Sequence, residues 1–560
     1  MSKSKISSMA YDVIFKNPKK KPHDEGLSEL RFDAYRMDSI KSIRFKRLKP
    51  FGTQLSDTAY YEPSKYTKVL NNLHLVTRRW ALRRNLLFKK GDVVDPREFI
   101  ETERLLRRQN FIQDARILVL PKKDDDVEIL VVSKDVLPYN IEIQPRNQNE
   151  AQFGISHINI FGTGHELEYN FVRTGQYEFF YKIRNVAGSF IDSEIDYSSH
   201  FRKTGWGGTL SRDFVTQETK YGGGAEYSVF EFGEFNYEPV TDTTTEFFYS
   251  RGRQDFWIGR AFKTGFKAAR LGFSGKTYAI ASIRFDNQDF FEKPIVSIDT
   301  NYTYHDHMDV LVSLGLSSRA YYKDKFILQF GRTEDIPTGA SVSGILGYQR
   351  REFENRIYMG GNYSRGGYLH KFGYLNSIFR LGSFVSSDGF RDGVFSFGIN
   401  YFSNLVSSGQ YKLRQFIDLS LSQTIDPTED IYLRTQYDLG IRGVTGFYHK
   451  ATTWLNFKYE PILFTPANFM AFRVVAFGFF DYTYTRNSRN DFFGEDHFMG
   501  FGAGLRLRND NIAFSTIQVR FGLYPSVPLN GNPHYADFST STRSLIRDFD
   551  FQAPEIIPFR

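Results

Sequence analysis

Ile441-Arg442-Gly443, Asn456-Phe457-Lys458-Tyr459-Glu460, Phe477-Gly478-Phe479-Phe480-Asp481 and Gly500-Phe501-Gly502-Ala503-Gly504-Leu505-Arg506-Leu507-Arg508 follow one another late in the 560-residue chain. The text around them alternates aromatic and polar residues with the two-residue period of strands. Ionisable groups in such strands are costly where the strands cross lipid, and there they face a partner or water. An arginine at a Gly-flanked loop tip, with acidic residues on the strands after it, predicts a loop folded inward and held by charge. A guanidinium offers several donors in a fixed fork, so one or two carboxylates can hold it firmly.

Composition agrees with a membrane barrel. There are 56 Phe, 34 Tyr and 45 Gly but only 4 Trp, while hydrophobic residues reach 41% and mean hydropathy is −0.42. A helical membrane protein needs runs of ~20 apolar residues, and the sequence has none. A barrel hides its apolar band in alternation, so its average hydropathy stays low. The absence of cysteine excludes disulfides, thiolate catalysis and Cys-based metal sites, and it suits an oxidising envelope. A net charge of +8 raises the question of nucleic acid. The basic residues are spread along the chain, dense only at Lys19-Lys20-Lys21 and between Arg78 and Arg84. A solvated surface, or one beside anionic lipid, is expected, and no nucleic-acid partner.

Three segments divide the chain. Residues 1–38 are a polar lead without apolar periodicity. Residues 39–137 read as a compact α+β module. A strand at Ile43–Leu48 precedes a helical stretch around Tyr66–Phe88, with Gly91 as a stop and Asp95-Pro96 as a start signal. A second helix near Arg97–Asn110 and strands at Ala115–Leu120 and Val127–Val132 complete it. Residues 138–560 alternate without helices and are expected to close into a transmembrane antiparallel β-barrel, because backbone groups in lipid must all be paired. The first strand is expected near Ile141–Ile160, a middle one at Phe326–Phe330, and the last at Ser544–Phe551. No apolar signal segment follows Met1. A barrel routed to an outer membrane needs one, so the numbering is expected to begin inside a longer precursor or at a misplaced start codon.

The Arg442, Glu460 and Asp481 series, in its order, resembles the barrel of the Omp85 superfamily, the outer-membrane insertases and two-partner secretion pores. There an inward loop carries a (Val/Leu/Ile)-Arg-Gly-(Phe/Tyr) motif that meets acidic residues of the wall. Val444 stands where the family usually has an aromatic. The β-α-α-β-β order of residues 39–137, with the text from Leu86 to Ala115, is similar to the last POTRA domain of those proteins. The stretch from Gly154 to Gly164, with Asn159 before Phe161-Gly162-Thr163-Gly164, resembles their first barrel hairpin. The resemblance implies sixteen strands, a bacterial outer-membrane location with the POTRA domain in the periplasm, and a structural latch of Arg442, Gly443, Glu460 and Asp481. It implies assembly of unfolded outer-membrane proteins or, alternatively, secretion of a polypeptide. The partners implied are those chains, the lipid bilayer and accessory lipoproteins. An exposed POTRA strand edge, at Ile43 and Phe45 or at Ile117 and Val119, would receive an extended client.

Other motifs carry less. Met359–Tyr368 offers a competing Arg365-Gly366 without the acidic series behind it. His305-Asp306-His307 lacks a third ligand and reads as a solvent-exposed strand end or turn; no metal is expected. Asp124-Asp125-Asp126 reads as a hairpin turn. No nucleophile elbow, phosphate loop, dinucleotide fingerprint or zincin helix occurs, so neither a cofactor nor covalent catalysis is expected.

Overall fold

The structure, a computed structural model, describes residues 31–559 apart from 53–54, 56–64, 122–125, 148–149, 174, 239–242, 299, 387–388, 429–431, 435–439, 446–447, 470–471, 487–495, 514–515, 529–530 and 540–547. In the first unit, β1 (Ser39–Leu48) is followed by α1 (Lys65–Leu73), α2 (Arg79–Arg83), α3 (Pro96–Arg108), β2 (Ile112–Pro121) and β3 (Asp126–Asp135). The Asp95 carboxylate accepts the Arg97 N–H at 2.9 Å and caps α3, with Pro96 in the first turn. Phe99 and Leu106 of α3 pack on Ile117, Ile129 and Val131 of the sheet. The helical stretch expected at Tyr66–Phe88 is broken, because the Asp135 carboxylate takes His74 Nε2 and both the N–H and hydroxyl of Thr77 at 2.8–2.9 Å. The sheet order is β1-β3-β2, with β1 parallel to β3, so β1 and β2 are its edges.

From Tyr139 onward the strands pair with their neighbours in antiparallel register, and the sheet closes on itself. Counting Gly389–Phe402 and Val406–Ser408 as one interrupted strand, twenty strands go round among the described residues, not the expected sixteen. Six strands of 8–11 residues lie between Tyr139 and Arg212. The first expected strand is itself two, Tyr139–Asn147 and Glu150–Ile160, with Ile141 registered on Ile155.

Two further expectations are corrected. Phe326–Phe330 is a turn, not a strand: the Glu334 carboxylate accepts the N–H groups of Ile327, Leu328 and Gln329 at 2.9–3.2 Å. Ile327 and Phe330 are thereby buried with Phe464, Val475 and Phe477 inside the barrel. Of the expected last strand, residues 544–547 lie outside the described residues. Asp548–Phe551 is not strand, and the described closing strand is Ala536–Ser539.

The outer face of the barrel is apolar. Val312, Leu346 and Met359 are registered partners across three strands and all are exposed, as are Leu314, Phe521 and Leu523. Their neighbours in sequence turn inward, among them the buried Leu311, Ser313, Ile345 and Tyr358. An apolar belt outside and a mixed interior is the arrangement lipid demands of a barrel. Among the described residues no helix is long and apolar enough to cross a membrane.

Candidate functional site: a loop latched inside the barrel

On the Phe472–Arg486 strand the buried positions alternate through Val475, Phe477, Phe479, Asp481, Thr483 and Thr485, which puts Asp481 on the inner face beside two rings. Glu460 lies on the neighbouring Thr453–Phe469 strand, between Tyr459, registered on Phe480, and Ile462, registered on Phe477. The next strand, Asp496–Arg508, sets Gly500, Gly502 and Gly504 opposite Asp481, Phe479 and Phe477. A Cβ at Gly502 or Gly504 would lie 2.7 Å from the facing ring. The Phe479 and Phe477 rings lie over Gly502 and Gly504, while Gly500 leaves room on the inner wall for Tyr524 and for Ile441 of the loop.

Arg442 follows Ile441 on the loop. Its backbone N–H donates to Asp481 Oδ2 at 2.9 Å, and its Nε and Nη2 donate to the same carboxylate at 2.8–3.1 Å. Its Nη1 pairs with Glu460, and the guanidinium lies 4.9 Å from the Phe479 ring centroid. Asp481 is fully buried. Glu460 is shared: Arg506 donates to its two oxygens at 2.7 and 3.1 Å while also holding Gln518 at 2.8 Å. Two guanidinium groups and two carboxylates thus form a balanced set, the condition under which buried charge is tolerated. Gly443 completes the turn with φ of +84°, and a side chain there would overlap the Tyr524 hydroxyl. Its carbonyl accepts the His534 N–H at 2.7 Å, and Val444-Thr445 pairs with Asn532-Pro533. Ile441 and Val444 are buried with Trp454, Phe498 and Tyr524. At Val444 an aliphatic side chain thus serves in the apolar anchor where the resembling motif has an aromatic.

Of the residues expected in the latch, Arg442, Gly443, Glu460 and Asp481 come together. Arg506, Gln518 and Tyr524 join them without having been singled out. Arg506 was legible as a second cation on an inner-face position of the glycine-rich strand. The competing Arg365-Gly366 lies on a strand, Asn355–Leu369, where Arg365 Nη1 donates to the Arg270 carbonyl at 2.7 Å. His305-Asp306-His307 is a strand entrance, but His305 is buried and not solvent-exposed. Its Nε2 is 2.9 Å from the Ser297 carbonyl. No group of three or more metal-ligating side chains occurs among the described residues. Of the Asp124–Asp126 turn, only Asp126 lies within the described residues, at the start of β3.

The N-terminal unit is docked on the barrel mouth. The Phe161–Gly164 turn meets the α1–α2 break: Arg78 N–H donates to Gly162 O at 2.8 Å, Arg84 to Thr163 O at 2.9 Å, and Asn159 Nδ2 to the Thr77 hydroxyl at 2.9 Å. Opposite, Arg107 of α3 forms a bidentate pair with Asp335 at 2.7 and 2.8 Å. Glu103, one turn earlier, receives Lys323 from the barrel at 3.1 Å and Arg31 at 3.0 Å. Burial alone would raise the Glu103 carboxyl, but Lys323, Arg31, Arg107 and the Ile117 N–H hold it below the usual range. A polar chamber of ≈1030 Å³, lined by Arg97, Glu98, Arg104, Lys276 and Tyr321, remains between the unit and the barrel.

The two candidate edges differ. The outer edge of β2 is already engaged: Ile117 N–H donates to Glu103 at 2.9 Å, the Ala115 carbonyl accepts Arg107, and the Ile112 and Gln113 carbonyls accept Arg332. Along β1, beyond a bridge from Ser39 to Val93, no strand flanks the outer side among the described residues. The side chains expected to face a client, Ile43, Phe45, Ile117 and Val119, belong to the core or pack against it. What β1 presents outward is its backbone.

No protein-family profile matches the chain, and no curated protein does. Among solved structures it is similar to CdiB from Acinetobacter baumannii, at 12% identity and TM-score 0.44 over 90% of this chain and 73% of that one. CdiB from Escherichia coli is similar at 10% identity and TM-score 0.44, covering 90% and 76%. BamA from Haemophilus ducreyi lacking POTRA domains 1–3 is similar at 11% and TM-score 0.37, covering 90% and 84%.

Proposed function

We propose that the chain is an outer-membrane assembly factor of Omp85 type, with its N-terminal unit acting as a periplasmic POTRA domain. An unfolded outer-membrane protein would add as a strand to the backbone edge of β1 and pass to the closing seam of the barrel, between Tyr139–Asn147 and Ala536–Ser539. Strand exchange at a sheet edge requires neither a nucleotide nor a catalytic side chain. The observation that carries this reading is that the inner wall is occupied by the chain's own segments. The Arg442 loop is clamped across one side, and the chain's own residues 548–559 occupy another. A route through the wall suits such a barrel better than a route through its centre. The experiment is reconstitution in liposomes with a model barrel client. Faster client folding with small ion flux supports the reading; no acceleration together with large conductance turns it to the secretion pore.

A further inference from the structure

Residues 548–559 run through the barrel interior with neither helix nor strand. Their contacts follow a regular chemistry. Asp548 accepts the Tyr321 hydroxyl at 2.5 Å and lies 3.5 Å from Arg319, which also pairs with Asp550. Arg319 is itself 5% exposed. Further along, Arg284 donates to the Pro554 carbonyl at 3.1 Å, and Arg380 lies 3.4 Å from Glu555. Ser317 Oγ donates to the Phe549 carbonyl at 3.1 Å, and the Ile557 N–H donates to the Tyr358 hydroxyl at 2.9 Å. Cations on the wall thus match acids on the segment.

Space on the wall matches its apolar side chains. Phe549, Phe551 and Ile557 are buried, and each faces a glycine of the wall. A Cβ at Gly366 would overlap the Phe549 ring, one at Gly315 would lie 2.7 Å from the Phe551 ring, and one at Gly382 would lie 3.2 Å from Ile557. Phe551 also packs with Phe214 and Ile280, and Phe559 reaches the apolar cluster that seats the Arg442 loop. Among the described residues no ladder joins the segment to the wall, and Pro554 and Pro558 lack the N–H a ladder needs. The segment can therefore leave without opening the sheet.

We propose that this inner-wall track is a binding site for an extended polypeptide in which acidic residues alternate with aromatic ones. Residues 548–559 are its resident occupant, a plug that a segment of like chemistry displaces. The proposal goes beyond the assembly reading and holds whichever route a client takes.

The test uses a labelled synthetic peptide of residues 548–560, the full chain, and a chain ending at Arg547, all in liposomes. The shortened chain is expected to bind the peptide at least tenfold more tightly than the full chain. It is also expected to conduct several-fold more, falling back when the peptide is added. A peptide with lysine at its three acidic positions should not block. Should the shortened chain fail to fold, full-length Gly366→Val decides, since it displaces Phe549. It is expected to behave as the shortened chain does, while Gly344→Val, on the exposed face with open space around it, behaves as wild type. Equal peptide binding by the full chain and the chain with its plug removed or displaced, or equal conductance, overturns the proposal. Client folding measured in the same liposomes is a separate readout, so failure of the assembly reading is distinguishable from failure of this one.

Discussion

Arg442 and Asp481, 39 residues apart in sequence, are joined by both the backbone N–H and the guanidinium of the arginine, all converging on one fully buried carboxylate. The loop is therefore held at its main chain as well as at its side chain. Truncating Arg442 leaves Asp481 with a backbone donor but no counter-charge.

Arg442→Ala should destabilise the folded barrel by ~3–5 kcal/mol, the usual consequence of removing one partner of a buried pair. The measurement is the temperature at which the barrel loses its fast-migrating form on semi-native gels. Arg442→Lys should lie between, since an ammonium keeps the charge and loses the fork. Arg365→Ala, which removes one exposed contact to a carbonyl, should leave the transition within about 0.5 kcal/mol of wild type. The opposite ranking would show that the loop is anchored elsewhere.

Gly443→Ala tests the turn independently of charge. The left-handed φ of +84° and the Tyr524 hydroxyl both oppose a methyl group. The strain should amount to about 1–2 kcal/mol and expose the loop to protease. Tyr524→Phe placed in the same chain removes the colliding oxygen and should restore part of the protection.

Arg107 and Asp335 fasten the N-terminal unit to the barrel. Arg107→Asp should free the unit, read as faster proteolysis between Leu137 and Tyr139 and a wider spread of spin-label distances across the junction. Adding Asp335→Arg should recover part of the loss, with a coupling of about 0.5–3 kcal/mol. Lack of any recovery would place the docking energy in the Phe161–Gly164 turn.

Glu103 makes the same junction sensitive to acid. Its folded value lies below the ordinary 4.5, so its contribution to stability is fully present above about 4.5 and is lost as pH falls through the folded value. Docking should weaken on acidification, and Glu103→Gln should be weak at neutral pH and flat with pH. Equal acid sensitivity in the variant would exclude Glu103 as the cause.

Lys134 has the opposite sign of interest. Burial, with Arg332 nearby, pushes its ammonium down to about 8 from 10.5. The folded state bears a cost while Lys134 is charged, and that cost is relieved as pH rises from about 8 toward 10.5. Lys134→Met should therefore raise the melting temperature at neutral pH, and the advantage should shrink in the alkaline range. A constant advantage at all pH values would point to packing alone.

Glu460, Asp481 and the glycine-rich strand were readable because each is an exception to strand alternation, an ionisable group or a missing side chain at an inner-face position, and Arg442 because it stands at a Gly-flanked loop tip before them. The N-terminal strands were readable from their alternation, while the structure places β3 between β1 and β2 and so makes those two the edges. Alternation also determined that the second part of the chain is antiparallel sheet with an apolar outside. It did not determine how many strands go round, because a two-residue period runs through a tight hairpin as it runs through a strand. Tyr139–Ile160 looks continuous in sequence and folds as two strands.

What only the tertiary structure decided concerns partners distant in sequence. Asp548–Phe551 has strand-like alternation, yet its acids find Arg319 and its rings find glycine gaps on strands more than 180 residues away. Glu103 is one acid among 64 in the text and becomes the meeting point of cations from two domains. Local sequence sets which face of a strand a side chain occupies, because that follows from the period of the backbone. Which charge it meets depends on how the sheet closes, and closure is a property of the whole chain.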